Sequence, residues 1–217
     1  MLRDYAWRLA GEGEARGILA AVNDRIRPSP LDAKTVQIWC APLLFYADTE
    51  LVKIVDQTRG VPNCRLALRA RGQAMVLDHS NVPIYEHNVR FGVEVDPDNA
   101  ADYAAFFFDH VGGKQGRFRI VESGQDLTWI DDADPAAIAA AALETRPVLF
   151  CGIENGVILL TASVVFKTSL FRADICVGMD GRVEMRDIEL LVERLPVRPD
   201  CTPGTDPFHI ASEGQLY

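Results

Sequence analysis

The sequence predicts an α+β protein, built mainly from curved antiparallel sheets with packed helices. The main observation is the stretch Pro147–Leu190, in which apolar and β-branched runs are separated by short turn-forming segments. Asn155-Gly156 separates the first two runs and tolerates the positive φ angles of a two-residue type I′ turn. Lys167–Ser169 and Met179–Gly181 mark the next two reversals. Because a parallel crossover needs about a dozen residues or more, these segments predict a C-terminal four-strand antiparallel meander.

The N-terminal part combines one helix with several strands. Ile18, Leu19 and Val22 recur at helical spacing, which predicts a helix over Gly13–Arg25. The stretch Asp48–Thr58 fits a capped helix turn or a strand, and its β-branched residues favour the strand. The other predicted elements are a short strand over Tyr5–Leu9, a β-rich segment over Thr35–Ala47 in which Pro42 requires an edge or a bulge, and a hairpin of Arg65–Ala70 with Gln73–Asp78.

The clearest helix is predicted to begin at Asp96. Asp accepts a hydrogen bond from an exposed amide, Pro97 suits the first helical position, and Gly112 suits the residue after the end. The three adjacent phenylalanines, Phe106–Phe108, cannot share one stripe of a helix. We therefore expect this helix to be covered on more than one side, with Phe107 almost fully buried.

The order of the elements indicates an internal repeat. A strand over Gly116–Val121 leads to a second capped helix, Asp134–Glu144, which begins at Pro135. A helix followed by four strands therefore occurs twice, which predicts two helix-plus-meander units with the Asp96 helix packed between them. The predicted organisation is an N-terminal unit (1–90), a connecting helix and strand (91–125), a C-terminal unit (126–195) and a proline-rich tail (196–217), with one compact domain as the alternative.

One helix lying across a curved antiparallel sheet resembles the architecture of cystatin-like and NTF2-like domains. The resemblance concerns the arrangement of elements alone, and an architecture of this kind implies no function.

Composition excludes some classes of partner. The net charge of −9 over 217 residues argues against a nucleic-acid surface, which needs a basic face. The basic residues, mostly arginine, are scattered along the chain, and the longest apolar runs are too short to span a membrane. The N-terminus carries no apolar targeting segment, and the five cysteines include no Cys-x-x-Cys pair. These features predict a cytoplasmic protein with no membrane or nucleic-acid partner.

We expect no cofactor and no metal. The stretch Gly11–Gly17 follows a strand and opens a helix, but its glycine spacing is one residue too long for a dinucleotide loop. Two glutamates in that stretch would also face a pyrophosphate. Clustered zinc ligands are not visible in the sequence, and we predict that His79 and His87 are not joined in a metal site.

The candidate catalytic residues are Asp78, His79, Tyr85, Glu86 and His87. Histidine is the natural base near neutral pH, and a neighbouring carboxylate could orient it or complete a metal site. The intervening residues Ser80-Asn81-Val82-Pro83 predict a turn that would bring the two groups together. The alternative is a hydrogen-bonded surface turn, because the same residue types are favoured in turns.

Two functions follow from these observations. The first is a non-catalytic binding or protein-interaction module, whose partner would be another protein or a second copy of the chain. The alternative is a small-molecule enzyme or ligand receptor with a pocket near Asp78–Asn88. The apolar residues Phe208 and Ile210 in the proline-rich tail are expected to dock on the body or on a second subunit, which would give a homodimer.

Overall fold

The computed structural model describes residues 5–23, 31–56, 63–113 and 116–198. The chain divides into two compact units, which within the described residues comprise 5–93 and 94–198. Each unit contains an antiparallel sheet of five strands together with helices, so the predicted α+β class is confirmed.

The first unit is a meander in which every strand pairs with the next, in the order β1-β2-β3-β4-β5. The pairing confirms the predicted strands, including the ambiguous one that becomes β3, and Pro42 is the last residue of β2. Its elements are β1 (Arg8–Leu9), α1 (Glu12–Asn23), β2 (Val36–Pro42), β3 (Thr49–Asp56), β4 (Asn63–Ala70), β5 (Gln73–Val76) and α2 (Val82–Phe91).

Helix α1 packs its apolar stripe on this sheet. Ile18, Leu19 and Val22 are buried together with Cys40 and Ile54, which lie on the strands. Burying each such aliphatic side chain stabilises the fold by about 1.5–3 kcal/mol. The helix predicted from the spacing of these residues is therefore confirmed, and the glycines of residues 11–17 lie at its start.

Helix α2 corrects one expectation. We expected a turn over residues 80–83, but the helix already begins at Val82, with Pro83 in its first turn. Its buried face carries Ile84, His87 and Asn88. Two of these three residues are polar, so the apolar periodicity that would reveal a helix is absent from the sequence.

The second unit contains the predicted C-terminal meander, whose four strands are antiparallel and in sequential order. The main path of its sheet is β10-β9-β8-β6, and β7 pairs with β8 along the same edge as β6. Its elements are α3 (Ala100–His110), β6 (Phe118–Val121), a short 3-10 helix (Gly124–Asp126), α4 (Pro135–Glu144), β7 (Leu149–Glu154), β8 (Val157–Phe166), β9 (Ser169–Gly178) and β10 (Val183–Val192).

Helix α3 begins four residues later than predicted. Asp96 does accept hydrogen bonds from the amides of Asp98 and Asn99, at 2.9 and 3.0 Å, but these bonds close a turn that precedes the helix. Phe107 is 5 % exposed and Phe106 is fully buried, so the expectation of a helix covered on several sides is confirmed. Gly112 follows the C-cap residue of this helix without a positive φ, and a Cβ there would lie 3.1 Å from the Cβ of Arg117, so the close approach favours glycine.

Helix α4 starts as predicted, since the Asp134 side chain accepts a hydrogen bond from the amide of Ala136 at 2.9 Å. It contributes Ala141 to a second apolar cluster, which also contains Val165, Leu195 and Val197. This cluster covers one end of the second sheet and forms the floor on which the polar residues described below are placed.

The repeat predicted from the order of the elements is present in that order, because each unit has a strand, then a helix and then four strands. The pairing differs, since β1 pairs with the next strand whereas β6 pairs with β8. The predicted docking of Phe208 and Ile210 lies outside the described residues. Among the helices of the described ranges, none combines the length and the apolar character needed to cross a membrane.

Candidate functional site

The structure separates the residues that the sequence groups as catalytic candidates. Asp78 accepts hydrogen bonds from the amide and the hydroxyl of Ser80, at 3.0 and 2.7 Å, and so stabilises the approach to α2. His79 is exposed and adopts a φ of 70°. Both residues belong to the surface segment between β5 and α2.

Tyr85, Glu86 and His87 occupy consecutive positions of α2. Consecutive helical residues project about 100° apart, because a turn contains 3.6 residues. Glu86 is therefore exposed while His87 is completely buried, and Tyr85 lies between these extremes. The exposed carboxylate and the buried imidazole do not share one surface.

His87 belongs to a polar cluster inside the first unit. Its Nε2 atom lies 2.8 Å from the hydroxyl of Thr49, and its ring contacts those of Tyr46 and Phe91 at centroid distances of 5.1 and 4.6 Å. Its Nδ1 atom has no hydrogen-bond partner among the described residues. Burial lowers the pKa of His87 to about 4, so the imidazole is neutral at pH 7. The ring is therefore part of the packed interior of the first unit.

A second cluster contains ligand atoms at metal-binding spacing. One ligand atom from each of Glu14, Cys40 and Glu50 lies within 4.8 Å of the others. Both carboxylates are already bound by Arg8 and Arg69, at N–O distances between 2.6 and 3.1 Å. These hydrogen bonds lower the pKa of Glu14 to about 2, and burial raises the pKa of the Cys40 thiol to about 11. With paired carboxylates and a protonated thiol, the cluster is a structural ion-pair network.

The second unit contains a shallow recess that opens to solvent and whose enclosed part has room for about one water molecule. Four of its lining residues are cationic, and none of the described residues that line it is acidic. The lining consists of Arg117, Arg119, Leu127, Thr128, Val165, Lys167, Val197 and Arg198. We call this feature the cationic recess.

The register between β6 and β8 places Arg119 beside Val165. The two residues pair directly, so their side chains lie on the same face of the sheet. Arg117 directly precedes β6, and Lys167 follows β8 in a turn where its φ is 54°. The cationic recess therefore lies at one end of this strand pair.

Arg119 on β6 and Arg117, which directly precedes this strand, form the inner wall of the cationic recess. Arg117 and Arg119 are only 4 and 5 % exposed. Arg117 Nη1 donates a hydrogen bond to the backbone carbonyl of Asp109 at 2.6 Å, and Arg119 Nε lies 3.8 Å from the Asp109 carboxylate. The last turn of α3 thus orients the guanidinium of Arg117, while the Asp109 carboxylate lies at a longer distance from the guanidinium of Arg119.

The rim of the cationic recess is formed by Lys167 and Arg198. Lys167 is exposed in the turn after β8, and Arg198 binds both carboxylate oxygens of Asp131 at 3.0 and 3.1 Å. Arg198 is positioned through its backbone, whose amide donates to the carbonyl of Thr128 at 2.7 Å. The segment that follows β10 therefore completes the recess from the side opposite β6.

Sequence reasoning missed the cationic recess because its residues come from distant parts of the chain. Arg117 and Arg119 lie near β6, while Lys167 and Arg198 follow the second and fourth strands of the meander. The i, i+2 spacing of Arg117 and Arg119 was the local signal, since it places both side chains on one face of a strand. The same spacing is common on solvated strands, so it identifies a site only once the register with β8 is known.

Comparison with family models, with curated proteins and with solved structures finds no significant match to this chain. The resemblance to cystatin-like and NTF2-like domains therefore stays a prediction.

Proposed function

We propose that this chain is a non-catalytic binding protein that holds a small anionic ligand in the cationic recess of its second unit. The observation that carries the proposal is the convergence of four cationic side chains on one recess, with no acidic residue among the described residues of its lining. Such an arrangement gives the recess a net positive charge, although Asp109 and Asp131 each pair with one of the four cations.

Burial makes this charge effective. Charges at an open surface are screened by water and salt, whereas the interaction of an anion with shielded charges is several times stronger. Arg117 and Arg119 are shielded in this way, and a hydrogen bond to Asp109 orients Arg117 before a ligand arrives. The Asp109 carboxylate, 3.8 Å from Arg119 Nε, offsets part of the charge of Arg119. A binding group that is already ordered loses less conformational entropy when the ligand binds.

The lining favours binding over catalysis. General acids and bases are most often histidine, aspartate or glutamate, and activated nucleophiles often include cysteine. None of these types occurs among the described residues that line the cationic recess. Its arginines offer permanent positive charge and rigid donors, which suit recognition of an anion.

The ligand is a small anion rather than a nucleic acid. A nucleic-acid surface tracks a long phosphate backbone with a broad basic face. Here the positive charges are gathered in one recess on a chain whose net charge is −9. The rest of such a chain repels a long polyanion, while a small anion enters the recess alone.

Isothermal titration calorimetry with sulfate at low ionic strength tests the proposal. Wild-type protein should bind one sulfate per chain. Lys167→Gln and Arg198→Gln each remove one rim cation from a solvent-exposed position, so they should weaken binding about tenfold without loss of folding. The matched control is Arg182→Gln, which removes an exposed arginine that pairs with Asp180 away from the recess.

Two results would contradict the proposal. One is sulfate binding that is equally strong in Arg198→Gln, Lys167→Gln and Arg182→Gln. The other is the absence of binding to the folded wild-type protein. Binding that is instead lost in Glu86→Gln would favour the alternative function, a ligand receptor that uses the surface near α2.

A further inference from the structure

We infer that the group held in the cationic recess is a phosphoryl dianion rather than a carboxylate. The inference rests on the proposed function and names the class of ligand for the same site. It is carried by the number of chain segments that supply donors, by their charge, and by the apolar part of the lining.

Donors reach the recess from four segments of the chain. Arg117 and Arg119 come from the start of β6, Lys167 from the turn after β8, Arg198 from the segment after β10, and Thr128 from the segment after the 3-10 helix. A carboxylate has two coplanar oxygens, which a single guanidinium can bind in a bidentate manner. A phosphoryl group has three strong acceptor oxygens that point in different directions. Donors from several directions therefore match the phosphoryl group better.

Charge favours the same ligand. A phosphate monoester carries a charge of about −1.5 to −2 at pH 7, while a carboxylate carries −1. Four cationic residues line the recess, so a second negative charge on the ligand strengthens its attraction to each of them. The guanidinium fork also matches the geometry of phosphate oxygens.

The apolar lining indicates what the phosphoryl group is attached to. Leu127, Val165 and Val197 line the recess beside the cations and belong to the apolar cluster under α4. These side chains are only 5 to 9 % exposed, so an organic group next to the phosphate would contact their exposed edges at the mouth of the recess, whereas inorganic phosphate would not. The two sources share the phosphoryl chemistry, and the experiment separates them.

The test compares three probes by isothermal titration calorimetry at pH 7.5. Phenyl phosphate carries two charges and a ring, sulfate carries two charges and no organic group, and benzoate carries one charge and a ring. Phenyl phosphate should bind at least about tenfold more tightly than benzoate, because the extra charge and oxygen add hydrogen bonds to charged donors. A greater affinity for phenyl phosphate than for sulfate supports a phosphate monoester, and equal affinity supports the free phosphoryl anion.

The pH dependence gives a second signature of the dianion. Lowering the pH from 8 to 5.5 protonates the phosphate monoester, whose second pKa is about 6, while sulfate keeps both charges. Arginine side chains stay protonated throughout. Binding of phenyl phosphate should therefore weaken over this range, while binding of sulfate should stay nearly constant.

Removing a competing carboxylate should strengthen binding. Asp131→Asn releases Arg198 from the ion pair in which its Nη2 atom contacts both carboxylate oxygens, so phenyl phosphate should bind more tightly than to the wild type. The matched control is Asp132→Asn, which changes the net charge equally at the neighbouring exposed position. An equal gain in both variants would mean that net charge alone, rather than Arg198, sets the affinity.

The outcomes separate the inference from the proposed function. If benzoate binds as tightly as phenyl phosphate and both are weakened by Arg198→Gln, the recess binds anions but the dianion inference is wrong. If the affinity for phenyl phosphate does not change between pH 8 and 5.5, the inference is also wrong. If none of the three probes binds, the proposed function itself is contradicted.

Discussion

Arg117 donates a hydrogen bond from Nη1 to the backbone carbonyl of Asp109 at 2.6 Å. The acceptor is neutral, so this bond orients the guanidinium without cancelling its charge. It also ties the last turn of α3 to the start of β6. One wall of the cationic recess is therefore tied to a helix and a strand, which hold binding groups more accurately than loops do, whereas Lys167, Thr128 and Arg198 lie in connecting segments.

Helix α3 should be essential for the stability of the second unit. Phe107→Ala should lower the free energy of unfolding by about 3–5 kcal/mol, because it removes a buried ring and leaves a cavity. The matched control is Phe150→Ala on β7, where the ring is 46 % exposed and the expected loss is about 1 kcal/mol. Chemical denaturation of both variants measures the difference, and equal losses would show that α3 is peripheral.

His87 should make the protein less stable in weak acid. Its pKa is lowered from 6.5 to about 4 by burial, so between these values the unfolded chain binds a proton that the folded chain does not. Stability is therefore full above pH 6.5 and should fall by up to about 3 kcal/mol as the pH drops to 4. His87→Gln should remove this part of the pH dependence, while His79→Asn, at an exposed position, should retain it. An imidazole of His87 that titrates near 6.5 in an NMR experiment would contradict this account.

The predicted and observed folds agree best where turn chemistry is local. Asn155-Gly156 and Arg71-Gly72 adopt the positive φ angles that their residue types allow, and both hairpins form as predicted. Agreement is poorest at α2, because its buried face carries His87 and Asn88 in place of apolar residues. These two side chains are accommodated by Thr49 and Tyr46, partners far away in the sequence that no local pattern reveals.

Replacing glycine by alanine should have opposite effects on stability in a turn with positive φ and in a helix. Gly156 has a φ of 77° in the turn between β7 and β8, so Gly156→Ala should cost about 1–2 kcal/mol through the left-handed conformation. Gly17 lies on the exposed side of α1 with no atom within 4 Å of an added Cβ, so Gly17→Ala should gain about 0.5–1 kcal/mol. Thermal unfolding measures both changes. A stabilising Gly156→Ala would show that this turn does not have the geometry described.

The ion pairs of Glu14 should contribute measurable stability. Glu14 accepts hydrogen bonds from Arg8 and Arg69 and is only a quarter exposed, so Glu14→Gln should cost about 1–2 kcal/mol at pH 7. Glu12→Gln on the same helix is the control, because its pair with Arg16 is highly exposed and contributes at most about 0.5 kcal/mol.

The stability that the ion pairs of Glu14 contribute should be lost in acid. The pKa of Glu14 is lowered from 4.5 to about 2 by hydrogen bonds from the two arginines, so its contribution is present above pH 4.5 and is lost as the pH falls towards 2. The difference in unfolding free energy between wild type and Glu14→Gln should therefore shrink over this range. A difference that stays constant would mean that the ion pairs are not formed.

The candidate site was less predictable than the fold. Arg117 and Arg119 belong to no recognisable sequence motif. Whether they form a site depends on the register of Arg119 with Val165 and on the backbone hydrogen bond that brings Arg198 beside Thr128. Both relationships are set by tertiary pairing. A site whose donors come from several segments becomes visible only when the strands are paired.

The most direct test of the central claim is to locate the bound anion by NMR. ¹⁵N-labelled protein is titrated with phenyl phosphate, and changes in amide chemical shift are mapped on the sequence. We predict that the largest changes occur at residues 117–120, 127–128, 165–167 and 197–198, and that they are greatly reduced in Arg198→Gln. Saturable changes centred on residues 78–88, or changes spread evenly over the surface, would contradict binding in the cationic recess.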